Sequence, residues 1–476
     1  MNMKKIISAC MALLVVSLTA CNDFLDEPMK GNLNTESIYS SPEEAQLAVN
    51  GIYNASTYFI NLWRFGDVAS DDAVKGGNEG DMSDLNYIID FTASADNGIL
   101  SEFWQNTYEV VSCANNVIGN VPGMTSASQT QKDNFVAQAK FFRALAYFTL
   151  VNIYGEVPLK LLPQNSPETI NVPLSSVESI YAQIEKDLTD AAPSLEINPV
   201  EQGRVTRGAA YGLLAKVYLY QKKYSEALSA IANVESLDIY ELEKDYADLF
   251  KLGSENSKEV VFAIRFLSGQ NPGLGNALNQ YLAPLEEMGY YFDAPTQDWV
   301  NCFTELTEDG ETDPRLDASI GRDGMPWLND NLFQASWSPA TGYLVKKHNQ
   351  PLDEVPAGRK GDGGLPYIYL RYADILLMKA EAYNELHQPD LAKAPLDSVR
   401  SRVGLAETTA ASESAMRDAI RLERRKELGF EFHRFFDLMR YGREAAQAAL
   451  PSLPWGETRY YYPIPQAEID ANQAIQ

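Results

Sequence analysis

Apolar residues recur at helical spacing through most of the chain, most clearly in Tyr369–Gly404. Tyr372, Leu376, Ala380 and Tyr383 step by four, four and three, which puts them on one helical face. Ile375, Met378, Ala382 and Leu386 form a second stripe beside it, and so wide an apolar arc belongs to a helix packed on two sides. His387-Gln388-Pro389 stops this helix, Asp390 is placed to cap the next, and Gly404 suits a C′ stop. Pro395 fits poorly one turn into the second helix, where it removes a donor, so the helix is expected to start later than Asp390 or to bend. Two antiparallel helices with small residues at their crossing points read as a tetratricopeptide-type hairpin. One such hairpin cannot bury both faces, so more are expected.

They are present. Ala210, Leu214, Val217 and Tyr220 share a face within Thr206–Val234, where Tyr224-Ser225-Glu226-Ala227-Leu228 restarts a helix. Phe135, Ala139, Phe142, Ala146, Leu150 and Ile153 align in Asn134–Tyr154, which Gly155 and Pro158 end. Ser41 is placed to cap Pro42–Tyr58, with Ala45, Ala48 and Ile52 inward, and Ile99–Ile118, holding Trp104, is another helix. Val260 to Phe266 alternates as a strand does. From Leu267 to Pro366 the helical period fades and Gly, Pro, Asn and Asp cluster. Leu422–Tyr441 reads as one salt-bridged helix, with Glu427, Glu431, Arg434, Asp437 and Arg440 alternating in sign. The tail from Tyr460 is extended through its two prolines, with a short capped turn after them. The fold class is therefore mainly α, a superhelix of tetratricopeptide-like hairpins with a large loop-rich insertion and a few short strands.

The N-terminus changes the compartment. Lys4 and Lys5 precede an apolar run, Ile6–Leu18, too short to span a bilayer, and Leu18-Thr19-Ala20-Cys21 has the form of a lipoprotein cleavage site. Cys21 is the expected lipidation site, and a multiply acylated terminus gives stable membrane anchoring. The divisions that follow are 1–20 signal peptide, 21–40 extended leader, 41–266 N-terminal helical part, 267–366 variable insertion and 367–476 C-terminal helices and tail. Loss of Lys4 and Lys5 with the signal, and of no acid, moves the net charge from −26 to −28. So acidic a surface argues against nucleic acid or anionic polymers as the main ligand, and is compatible with neutral ligands or with solubility alone. Cys113 and Cys302 remain in the mature chain, either paired or both buried.

Candidate chemistry is sparse. No HExxH, GxSxG, Walker or CxxC motif occurs, the three histidines His348, His387 and His433 are scattered, and no cofactor or metal is expected. A glycosidase needs only two carboxylates, and the 65 acids leave that alternative open. Asp67, Asp71 and Asp72, after Trp63-Arg64-Phe65, either bind a polar ligand or cation or cap helices and satisfy loop amides. The insertion holds Trp299, Trp327 and Trp337 with Tyr281, Tyr290, Tyr291 and Phe292. Aromatics on scaffolded loops either anchor their loops or form a binding face.

Cys21 followed by NDFLD, WRFGDVASDD at Trp63–Asp72, FFRALAYFTLVNIYGEVPL at Phe141–Leu159, YLRYADILLMKAEAYNEL at Tyr369–Leu386, LERRKELGFEFHRFFDLMRYG at Leu422–Gly442 and YPIPQAEIDAN stand in order along nearly the whole chain. Together they resemble the SusD/RagB family of Bacteroidetes outer-membrane lipoproteins. The resemblance implies a body of about four tetratricopeptide-like hairpins carrying variable loops. It implies a cell-surface lipoprotein that caps a SusC-like TonB-dependent transporter and captures its cargo, most often a glycan, or a peptide in a RagB-like role. Binding without chemistry is implied, by stacking of sugar C–H faces on Tyr and Trp and pairing of hydroxyls with polar groups. Asp72, Asn78, Tyr290, Tyr291, Trp299, Trp327 and Trp337 are the expected ligand-binding residues.

Overall fold

The computed structural model describes residues 39–163, 166–329, 331–455 and 461–475. The signal, Cys21, most of the leader and Tyr460 lie outside the described residues.

Capping residues set where the helices begin. Ser41 opens α1 (Pro42–Ser56), Asn97 opens α2 (Gly98–Asn120), and Ser128 closes a capping box with Gln131 on α3 (Gln129–Tyr154). Ser176 opens α4 (Val177–Ala191) and Thr206 opens α5 (Arg207–Tyr220), which turns into α6 (Tyr224–Glu235). Each such cap satisfies an otherwise orphaned amide and contributes about 1 kcal/mol. The C-terminal helices are α7 (Tyr372–Glu385), α8 (Pro389–Arg402), α9 (Glu413–Glu427) and α10 (Arg434–Tyr441). Neighbours in sequence pack as antiparallel pairs: α2 on α3, α3 on α4, α5 on α6, α7 on α8. Contacts of α4 with α5, α6 with α7 and α7 with α9 join the pairs into one tetratricopeptide-like stack. α3 is buried almost all round, because α1, α2 and α4 cover it.

The strands are short and pair far along the chain. β1 (Ala73–Lys75) runs antiparallel to β3 (Asp293–Pro295), and β2 (Val260–Ile264) to β4 (Tyr367–Arg371). The second pair corrects the expected hairpin at Tyr369: residues 369–371 finish a strand, and the helix starts at Tyr372. Asp390 does not cap α8. Pro389 occupies the first turn, where its missing amide costs nothing, and Pro395 is accommodated inside the helix. Gly404 adopts φ +76°, as a C′ stop requires.

The expected helix Leu422–Tyr441 is two helices. Between α9 and α10 the chain turns through Phe430 and Phe432, both with positive φ (62° and 69°). A left-handed residue costs about 1–2 kcal/mol, and burying a Phe ring returns about 1.5–3 kcal/mol. Both rings are buried, Phe430 4.6 Å from Trp299 and Phe432 4.9 Å from Tyr367, so burial wins. Of the charges expected to bridge along one helix, Asp437 and Arg440 do pair within α10 at 2.8 Å, whereas Glu431 and Arg434 pair with Arg371 and Asp71 on distant segments. Arg371 pairs with Glu259 at 2.7 Å and Glu431 at 2.8 Å and also contacts Glu427, while Arg315 reaches Glu427 at 2.9 Å. Removing one member of such a network costs about 3–5 kcal/mol, because the partner is left charged and dry. Burial would push Glu427 up, but Arg402, Arg371 and Arg315 hold its carboxyl well below the usual range.

Candidate functional site

The β1–β3 pairing decides what the insertion presents. It starts just after Asp71 and Asp72, which two arginines of the C-terminal helices clamp. Arg425 Nε donates to Asp72 Oδ1 at 2.6 Å, and Arg434 donates to both Asp71 oxygens at 2.7 Å. Asp72 is 1% exposed, and burial raises its pKa against the pull of Arg425. Asp67 Oδ1 accepts from the Phe432 amide at 3.1 Å. These acids therefore lock the loop to the helical body. With its carboxylate buried against Arg425, Asp72 is closed to solvent, contrary to the expectation that it is open to a ligand.

Beyond the clamp, two loops meet. The Gly76 amide donates to the Phe292 carbonyl at 2.9 Å, extending the ladder. A Cβ at Gly76 would lie 1.8 Å from the Tyr291 carbonyl oxygen, so only glycine permits this approach. The Tyr291 hydroxyl donates to Asn78 Oδ1 at 3.2 Å. Asn78 and Tyr291, expected separately from the sequence, are thus joined, with Tyr291 nearly buried and Asn78 held by it. Tyr290 is left 41% exposed, with its ring 6.3 Å from Tyr281 and 5.4 Å from Phe292. Phe292 in turn stacks on buried Trp63 at 6.1 Å. An exposed ring backed by one partly buried ring, Tyr281, and two buried ones, Phe292 and Trp63, is stiff, and so is suited to stacking at little entropic cost. Leu285 and Met288, just before it in the chain, are 54% and 43% exposed.

The tryptophans divide. Trp299 is 0% exposed, its Nε1 donating to the Arg425 carbonyl at 3.2 Å. Trp327 is 4% exposed and its Nε1 donates to Glu287 Oε1 at 2.9 Å, which also takes Lys360 at 2.9 Å through Oε2. Both anchor their loops and neither is offered to a ligand in this conformation, which corrects the expectation for them. Trp337 is partly exposed and packs edge-on against Phe333 at 5.4 Å. Tyr281 and Phe292, named among the insertion's aromatics but not among the expected ligand-binding residues, are the rings that back Tyr290. Cys113 and Cys302 are unpaired and partly buried, and burial raises both thiol pKa values. Among the described residues no group of three or more His, Cys, Asp or Glu is placed to hold a metal ion. No described helix is long and apolar enough to cross a membrane.

A stack of helical hairpins carrying an aromatic patch on loops defines a class of protein built to bind. Comparison with known proteins places the chain more closely. Residues 258–476 match the model described as SusD family, and residues 23–219 match one described as "Starch-binding associating with outer membrane". The chain belongs to the SusD/RagB family. A SusD-like protein of Bacteroides ovatus is 29% identical, over 93% of this chain and 83% of its own. A SusD superfamily crystal structure from Bacteroides vulgatus superposes with a TM-score of 0.81 at 24% identity, covering 92% of this chain and 99% of that one. A laminarin-binding SusD-like protein gives 0.79 at 28% identity, covering 91% and 98%.

Proposed function

We propose that this protein is a cell-surface glycan-binding lipoprotein, anchored through Cys21. It captures oligo- or polysaccharide and passes it to a SusC-like TonB-dependent outer-membrane transporter. The observation that carries the reading is Tyr290: a half-exposed ring, backed by Tyr281, Phe292 and Trp63, beside a loop held in place through Asn78. That arrangement suits the apolar face of a sugar ring with hydroxyls directed to loop amides and side chains. Family membership and the laminarin-binding relative support the ligand class. The family model's description supports association with the outer membrane. A shallow site of this kind binds at millimolar to micromolar strength, roughly −4 to −8 kcal/mol, which suits a protein that hands its cargo on.

Capture is distinguished from hydrolysis by incubating purified protein with a panel of glycans, laminarin included. Binding without new reducing ends, lost in Tyr290→Ala, supports the reading. Turnover overturns it, and so does binding of peptides but no glycan.

A further inference from the structure

We infer that the ligand face extends to a second saccharide subsite in the pocket between the end of α1 and the 266–275 loop; the inference rests on the glycan reading above. The pocket, of about 490 Å³, is the size of a small-molecule site. Tyr53, Phe266, Leu267, Leu274 and Pro366 supply apolar wall. The amide of Leu267 donates to the carbonyl of Leu274 at 2.9 Å, holding these two side chains at the rim, 56% and 45% exposed.

Its polar wall is incompletely paired. Arg265 Nη2 donates to the Glu255 carbonyl at 3.2 Å and to Asn256 Oδ1 at 3.0 Å. Glu255 Oε1 stands 3.9 Å from that nitrogen, too far for a hydrogen bond. A charged donor and acceptor held just apart at a pocket wall are bridged by a group that both accepts and donates, and a sugar hydroxyl is such a group. The surrounding apolar wall takes the C–H face of the same ring.

The pocket and the Tyr290 patch lie at two ends of one segment. Leu274 and Gly275 line the pocket, a helical turn covers Leu278–Tyr281, and Tyr281 lies against Tyr290. From Gly275 to Tyr281 the chain advances six residues, at most about 21 Å even if fully extended. A chain of several units reaches both subsites, and a short one reaches only one.

The test is calorimetric titration of wild type, Glu255→Gln, Arg265→Met and Leu274→Ser with whichever neutral oligosaccharide series the glycan panel identifies, from two to six or more units. Leu274 is on the exposed rim, so Leu274→Ser keeps the test valid if a polar-wall variant misfolds. The expected result for the long ligands is a loss of about tenfold in Glu255→Gln and Arg265→Met, the worth of one charged hydrogen bond, and a loss of several-fold in Leu274→Ser from the apolar contact removed, with the shortest ligand that stacks on Tyr290 unaffected. Equal affinities for all four proteins at every length overturn the subsite and leave the Tyr290 reading standing. A wild type that binds no glycan overturns both.

Discussion

Replacing Arg425 with Met tests how the site is held to the body. The guanidinium reaches Asp72 Oδ1 at 2.6 Å, Asp71 Oδ2 at 3.1 Å and Asp298 Oδ2 at 2.8 Å. Asp71 keeps Arg434, and Asp298 is largely solvated. Asp72 is the residue stranded: it is 1% exposed, its Oδ2 is already without a partner, and the next cation, Arg434 Nε, is 3.7 Å away. Breaking a buried pair from one side costs about 3–5 kcal/mol. Burial already raises the Asp72 pKa, and losing Arg425 raises it further. A proton taken up by Asp72 then relieves the penalty. The destabilisation is therefore largest near pH 8 and shrinks toward pH 5, the direction required when a native pKa lies above the unfolded one. Urea unfolding at both pH values measures it, and adding Asp72→Asn recovers most of the loss at pH 8. A single-variant cost below about 1 kcal/mol at pH 8, against the expected 3–5 kcal/mol, would refute the clamp, as would equal costs at the two pH values.

Asp293, 0% exposed, has its pKa pushed up to about 8, chiefly by burial. The native state thus keeps a proton that the unfolded chain gives up near pH 4, and stability falls as pH rises from about 4 to about 8; Asp293→Asn flattens that slope in pH-dependent melting, and an unchanged slope counts against it. Trp299→Ala opens a cavity under Phe430 and Phe303 and costs about 3–5 kcal/mol, whereas Trp337→Ala, at a partly exposed position, costs under about 1 kcal/mol; similar melting shifts for the two contradict this assignment. Cys21→Ala releases the protein from membranes on fractionation, and continued sedimentation with the outer membrane means that anchoring is not through this residue.

The helical body was legible because its signal is local. Apolar stripes, Ser and Thr caps and Gly404 all report through neighbours within a turn or two, and α2, α3, α5, α6 and α7 fall close to where periodicity puts them. The break between α9 and α10 was not legible, because Phe430 and Phe432 carry no sequence mark of positive φ. What forces the turn is burial of their rings against Trp299 and Tyr367, residues far along the chain. The site was half legible. Aromatic content pointed to the insertion, but whether a Trp faces in or out depends on distant partners such as the Arg425 carbonyl for Trp299 and Glu287 for Trp327. Asn78 and Tyr291 were each nominated, and only the three-residue β1–β3 ladder, too short to announce itself by alternation, brings them together.

The most direct test of the account is a crystal structure of the protein with an oligosaccharide drawn from the binding panel. The account predicts a sugar ring stacked on Tyr290, with the loop at Asn78 beside it and the fold otherwise unchanged. A ligand seated instead among the helical hairpins, with Tyr290 bare, would contradict it.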